Sequence, residues 1–507
     1  MRSGSIASNF LYSSLTTVLN VAVPLLTYPY ITRVLGPDNL GRLGVAASLA
    51  NYFIAAAGLG FATYGVRAVA KAAADSRHSA GSHGVQGSHG ARESHDAKSA
   101  LARVASELGA LALGASAVAA TAYFAAILAV DRYRADLALF ALFGLTIIAS
   151  NAAVEWFFRG VERFRFIGLR NLVLQVVSVA FLFIIVRGPG DTVPYAALLA
   201  IVALLGAGLN LGAARRIVHP TFTGIRPLSH LAPMALFTLI AFSITAYTNL
   251  DFLFLGLASD PRQAGFYTVS IRLARMVTTV TATLSAVLLP RLSQLSSGDE
   301  EGFARILGRS ARAIALFSLP AAAGIAVTAD DLAVFFGGAG FAESAASLRI
   351  LALLVPIVGA SNFLQLQVLV PRGRERAMLW SFGAGLAVTA LAMFLWVMPF
   401  GHIGAAWAMV AGEAAVLAVH AVLCLRLEPE SLPHRFGLAR YSAGTAITFL
   451  AALAVRAFLA PGTARLAAAV IAGCLAYAVT LVVGGDPMAR ILIQKAQSSG
   501  HHAGDPR

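Results

Sequence analysis

Asp251, Arg272, Arg275 and Glu413 are the residues best placed to do chemistry, because each lies inside an otherwise apolar stretch. An ionised Asp or Arg at the centre of a membrane span costs about 2.5–3.5 kcal/mol on insertion scales. Asp251, Arg275 and Glu413 together would cost about 8–10 kcal/mol, comparable with the whole stability of a typical fold. Such groups must face one another or water. Asp251 lies seven residues before Ala258, and Arg272 six residues after Phe266 in the next stretch. At about 1.5 Å per residue both sit roughly 10 Å from the same membrane edge, close enough in depth to pair. Arg275 is one turn deeper on the face of Arg272. A helix-joining salt bridge and a polar cavity wall both fit Asp251 and Arg272; one Asp cannot neutralise two arginines, which favours the cavity. Glu413, near the midplane, fits either a neutral acid hydrogen-bonded between helices or a proton carrier. Arg349 and Arg456 lie near span ends, where their heads are expected to snorkel. Four intramembrane arginines against two acids make a cavity that favours an anion, and an arginine fork matches phosphate bidentately.

The elements that hold these residues are membrane helices. Of 507 residues, 58% are apolar and only 12% charged, against roughly 25% charged in a soluble chain. Uncharged runs such as 9–31, 43–66, 108–130 and 193–214 reach or exceed the roughly 20 residues that cross hydrocarbon as helix. They recur to the end of the chain, which excludes a soluble enzyme with an anchor and an outer-membrane barrel of alternating strands. We count fourteen spans and expect the first to be retained rather than cleaved as a signal. Two cysteines, Cys424 and Cys474, exclude a disulfide framework, a cysteine-based zinc site and a c-type haem.

The net charge of +14 raises the question of nucleic acid. With the N-terminus inside, however, alternate loops divide the 38 Lys and Arg into 27 cytoplasmic, seven external and four within spans. Retention of positive loops in the cytoplasm accounts for that imbalance, so no nucleic-acid partner is expected and both termini are placed in the cytoplasm. Outer loops are short and leave no room for a catalytic domain; no enzyme activity, cofactor or metal is expected. The long cytoplasmic connection 67–103 carries the near-repeat Gly81-Ser-His-Gly and Gly87-Ser-His-Gly, with His78, His83, His89 and His95. Its Gly, Ser and Ala content favours a mobile chain over preorganised metal ligands.

The chain also resembles itself at an offset of 224 residues. Val34-Leu-Gly-Pro-Asp-Asn-Leu-Gly41 aligns with Ala258-Ser-Asp-Pro-Arg-Gln-Ala-Gly265, and Arg67 falls on Arg291. The repeat partners of Asp251, Arg272 and Arg275 are Thr27, Ser48 and Asn51, all polar. An offset spanning an even number of helices gives two six-helix lobes related by a pseudo-twofold axis along the membrane normal. The expected divisions are an N-terminal lobe (1–66 and 104–215), a flexible loop (67–103), a C-terminal lobe (216–425), two extra helices (440–484) and a polar tail (485–507). Arg67 and Arg291 would stand at symmetry-related cytoplasmic mouths, as anion contacts or as ordinary flanking residues.

Five pieces of the N-terminal region carry a family resemblance: Asn9-Phe-Leu-Tyr, Pro24-Leu-Leu-Thr-Tyr-Pro-Tyr-Ile-Thr-Arg33-Val-Leu-Gly-Pro, Leu40-Gly-Arg, Asn51-Tyr-Phe and Gly60-Phe-Ala-Thr-Tyr-Gly-Val-Arg67. Glu155-Trp-Phe-Phe-Arg-Gly-Val-Glu162, Asn249-Leu-Asp251, Phe336-Gly-Gly and Gly404-Ala-Ala-Trp-Ala continue it in order. Together they resemble the polysaccharide repeat-unit flippases, the O-antigen and exopolysaccharide exporters of the multidrug/oligosaccharidyl-lipid/polysaccharide superfamily. The resemblance implies an all-α polytopic fold of two six-helix bundles plus two C-terminal helices in the bacterial inner membrane. It also implies transfer of undecaprenyl-pyrophosphate-linked oligosaccharide from the inner to the outer leaflet by alternating access. Coupling to a proton or sodium ion, with Asp251 and Glu413 as its candidate carriers, and contact with polysaccharide polymerase machinery are further expectations. Arg272, Arg275, Arg67, Arg291, Asn51 and Ser48 become candidate pyrophosphate or cavity residues. A lipid II flippase or a multidrug antiporter of the same superfamily is the alternative; cationic drugs would want an acidic cavity. The insertion after Arg67 departs from the family pattern.

Overall fold

Hydrocarbon offers the backbone no hydrogen-bond partner, so segments this apolar must satisfy their amides internally as helices. The computed structural model describes residues 6–81, 88–221, 223–296, 298–374, 376–428 and 438–486, and no strand occurs among them. In chain order the first eight helices are α1 (Ile6–Ala57), α2 (Val66–Gly81), α3 (Ser88–Ala129), α4 (Asp131–Arg134), α5 (Leu137–Ala152), α6 (Glu155–Gly160), α7 (Phe164–Ile185) and α8 (Thr192–Arg215). The rest are α9 (Leu231–Ala258), α10 (Pro261–Leu295), α11 (Glu300–Gly337), α12 (Ser344–Leu351), α13 (Leu354–Phe363), α14 (Arg376–Leu427), α15 (Leu438–Phe458) and α16 (Thr463–Val483).

Among the described residues, twelve helical stretches are long and apolar enough to cross a membrane. The sequence predicts fourteen crossings, a count that these twelve stretches do not confirm; α1 and α14 are each 52 residues long and broken once. Gly36 breaks α1 with φ 75°, and Gly401 breaks α14 with φ 52°, two residues after Pro399. A left-handed glycine beside a proline interrupts the ladder of amide hydrogen bonds and redirects the chain.

Contacts divide the chain into two units, 1–35 with 42–253 and 36–41 with 254–507. The division falls inside α9 rather than at 215/216, because the first part of α9 is bonded into the first unit. Ser48 and Tyr52 donate to the carbonyls of Asn249 and Ala246 (3.0 and 3.1 Å), and Tyr64 pairs with His230. The first unit has a core of Phe61, Leu108, Trp156, Phe157, Phe158 and Ile167. Leu292, Phe303, Leu307, Phe363 and Val368 form a core in the second, where α15 and α16 also pack on α11.

The segment 36–41 explains its own assignment to the second unit. A Cβ on Gly41 would fall onto the Pro261 carbonyl oxygen and 2.8 Å from the Gly265 nitrogen; a Cβ on Gly265 would fall onto the Pro37 carbonyl oxygen. Pro37 and Gly41 are the repeat partners of Pro261 and Gly265. Residue i of one copy thus meets j of the other and j meets i, the signature of a local twofold contact.

The connection 67–103 is helical to Gly81 and again from Ser88. Residues 82–87, including His83, lie outside the described residues, as do 487–507 with His501 and His502, and the side chains of His78, His89 and His95 are not described.

Candidate substrate and coupling residues

In the first unit, Ser48, Asn51 and Tyr52 on α1 face Ala246, Asn249 and the turn carrying Asp251 on α9. The spacing of three and four residues on both helices puts these groups on facing stripes. Ser48 donates to the Asn249 carbonyl, and the Asn51 amide reaches the Asn249 side-chain oxygen at 3.4 Å. Asn249 in turn donates to Thr245 O at 3.0 Å. Asp251 is buried, and one carboxylate oxygen accepts from the Phe252 amide at 2.9 Å. The structure therefore brings Ser48 and Asn51 to the helix of Asp251. Asn249 and Tyr52 complete the patch; both stood inside recognised motifs, but their partners were not legible.

Arg67 follows a π turn at Phe61–Gly65 that opens at Gly60, whose φ is 69° and whose Cβ would lie 2.5 Å from that of Phe237. This close approach brings α9 against the turn, and the exposed Arg67 guanidinium stacks over the Phe237 ring at 5.8 Å. One turn earlier is a relay that the sequence reading missed. Tyr64 OH meets His230 Nδ1 at 2.9 Å, and His230 Nε2 meets a Glu107 oxygen at 3.0 Å. The other Glu107 oxygen accepts from the Arg226 amide at 3.0 Å. A lone acid near the start of an apolar run was the available signal.

In the second unit, Arg272 and Arg275 lie one turn apart on α10, Arg272 exposed and Arg275 half-buried, and the exposed Arg291 lies farther along the same helix. Glu413 is half-buried in the second part of α14. Nearby on α14, His420 is fully buried and bridges Ser361 on α13 (3.0 Å) and Ser381 (2.8 Å), a network with no sequence-level signal.

Two expectations about arginines are corrected. Arg349 and Arg456 do not simply snorkel; both pair with Asp330 on α11, and Arg456 also donates to Val327 O. Arg465, counted as an external-loop charge, is buried in α16 and holds Asp331 bidentately, Nε to Oδ2 at 2.9 Å and Nη2 to Oδ1 at 2.8 Å. Arg456 and Arg465 lie more than a hundred residues from their partners, so chain position could not reveal them.

Two units built of helices long and apolar enough to span a membrane, with polar stripes and arginines inside apolar segments, describe a multi-pass membrane protein. The comparisons narrow the class. A model of the polysaccharide biosynthesis protein family matches residues 6–296. The chain belongs to this family. It is 22% identical over 432 residues, 82% of this chain and 95% of the other, to a protein of Escherichia coli (strain K12) named "Putative O-antigen transporter". A Shigella dysenteriae protein of the same name is 20% identical over 274 residues, covering 54% of this chain and 67% of the other. The fold is similar to that of the lipid II flippase MurJ in an inward closed conformation, with TM-score 0.59 and 12% identity over 94% of this chain and 100% of that one. It is also similar to an inward-facing multidrug resistance MATE family transporter of the MOP superfamily, with TM-score 0.54 and 14% identity over 83% of this chain and 98% of that one.

Proposed function

We propose that this transporter moves undecaprenyl-pyrophosphate-linked oligosaccharide repeat units from the inner to the outer leaflet of the bacterial inner membrane by alternating access. The observation that carries the reading is Arg272 and Arg275 one turn apart on α10, inside a helix apolar enough to cross a membrane. Two guanidinium groups at that spacing can hold a pyrophosphate through paired N–H donors. Within the first unit, Ser48, Asn51 and Asn249 form a neutral polar stripe of the kind that suits sugars, while the polyprenyl tail remains in hydrocarbon. Membership of the polysaccharide biosynthesis family and the name of the E. coli relative agree with this substrate class.

Asp251 is the carboxylate proposed to couple substrate movement to a proton or sodium gradient, with Glu413 second.

The test is flipping of a lipid-linked oligosaccharide in proteoliposomes. Arg275→Ala abolishes flipping while membrane abundance stays near wild type, and Arg275→Lys restores part of it. Degradation of the alanine variant, with recovery in Asp251→Ala/Arg275→Ala, would instead make the arginine a structural partner. Flipping of lipid II or export of cationic drugs in place of the oligosaccharide would move the protein to the other branches of the superfamily. A gradient response unchanged in Asp251→Asn would remove Asp251 from coupling.

A further inference from the structure

In the first unit, where α7 and α8 pack together, an apolar furrow of about 600 Å³ runs along α8 and is bounded on the α7 side by Phe166. Its floor is a stripe along α8 in which Leu204, Gly208, Gly212 and Arg216 recur every four residues. A Cβ at Gly208 or Gly212 would meet nothing within 4 Å, whereas one at Gly206 would come 3.1 Å from Leu174 of α7. Gly206 therefore lies where the two helices touch, and Gly208 and Gly212 lie where side chains are missing from an open trench. Leu204, Leu205 and Leu209 along it are 40, 50 and 51% exposed, so the trench opens to the surrounding hydrocarbon.

One end of the trench is basic. Arg216 lines it beside Phe166 from the first turn of α7, and exposed Arg165 and Arg215 stand next to these two in sequence. Four other arginines of the unit meet carboxylates: Arg42 with Asp136, Arg134 with Asp131, and Arg159 and Arg170 with Glu155. Among the described residues, no carboxylate pairs with Arg165, Arg215 or Arg216. An apolar trench ending on Arg216, with two more exposed arginines adjacent in sequence to its lining, is complementary to a molecule with an acyl chain and a phosphate.

We propose that the α7–α8 furrow is a binding site for one anionic glycerophospholipid of the bilayer. An acyl chain lies over Gly208 and Gly212, and the phosphate sits on Arg216 with Arg165 and Arg215 around it. Basic pockets between membrane helices on the positively charged side recognise anionic headgroups by this combination, and the charge count places these arginines in cytoplasmic loops. The two glycines four residues apart could also serve a helix–helix dimer. A symmetric dimer on this face, however, would set the same arginines against their own copies. An anionic lipid neutralises them. The site stands apart from the proposed substrate residues and does not depend on their assignment.

The experiment uses the full chain in nanodiscs of phosphatidylcholine with a minor fraction of phosphatidylglycerol, followed by release into native mass spectrometry. Wild type retains one phosphatidylglycerol more tightly than the rest. Each of Arg165→Gln, Arg215→Gln and Arg216→Gln lowers its retention about fivefold, as expected for one basic residue near a lipid headgroup. Gly208→Leu/Gly212→Leu fills the trench, keeps every charge and also releases the lipid, while an unfolding midpoint close to wild type reports that both variant sets remain folded. Equal retention in all variants overturns the proposal. So does retention lost only in the arginine set, or competition by inorganic phosphate alone, since either leaves the trench without a role. Displacement of phosphatidylglycerol by undecaprenyl pyrophosphate would make this a substrate site, and a dimer broken by the leucine pair would make it a protein interface; either result also overturns it.

Discussion

Arg465→Ala tests how the last two helices are attached. The Arg465 and Asp331 side chains are 10 and 4% exposed and joined through two parallel N–H to carboxylate contacts. The substitution removes both contacts and leaves the Asp331 carboxylate buried without its cation. Removing one partner of a buried pair costs about 3–5 kcal/mol, which shifts the local equilibrium by roughly 10²–10⁴. Asp331→Leu/Arg465→Met replaces the pair with apolar groups of similar size, so stability returns to within about 1 kcal/mol of wild type or exceeds it. The neighbouring pair is an internal control. Arg349 and Asp330 are 45 and 40% exposed, and Arg349→Ala is expected to cost no more than about 1 kcal/mol. Denaturant unfolding in mixed micelles gives all four values. The reasoning fails if Arg465→Ala costs less than 1 kcal/mol, or if the double variant is as unstable as the single one.

Gly265→Ala and Gly41→Ala each force backbone apart at the reciprocal contact and are expected to cost at least the 1–3 kcal/mol typical of overpacking; Gly340→Ala, whose Cβ would meet Pro37 at an ordinary 3.7 Å, leaves the unfolding midpoint unchanged. Glu107→Gln removes a charge-assisted acceptor shared by His230 and the Arg226 amide and lowers stability by about 1.5–3 kcal/mol, whereas Tyr64→Phe costs about 0.5–1.5 kcal/mol. Unfolding curves that rank these two in the opposite order would remove the carboxylate from the centre of the relay. Cysteine at Thr223 labels with an impermeant thiol reagent only in inside-out vesicles and cysteine at Asp260 only in right-side-out ones; the reversed pattern sinks the orientation drawn from 27 internal against seven external basic residues.

Hydropathy and charge spacing in the sequence determined the helical class, the expected orientation and the repeat at 224 residues. Each membrane helix closes its own hydrogen bonds, so the signal for it is local and survives without knowledge of its neighbours. The Pro37–Gly41 and Pro261–Gly265 turns were legible for the same reason, being short motifs that recur. Their mutual contact was not, because it depends on how the two copies meet. Asp251 with Ser48 and Asn51 marks the boundary between the two kinds of knowledge. Their polarity inside apolar runs was visible, and the hydrogen bonds from Ser48 and Asn51 to Asn249 came only with packing. Arg465 with Asp331, Arg456 with Asp330 and Glu107 with His230 are separated by 134, 126 and 123 residues. Whether such a charge is loop-exposed, snorkelling or buried is set by the rotation of each helix and by the neighbour it meets, quantities that a linear pattern does not contain and that only the tertiary structure decides.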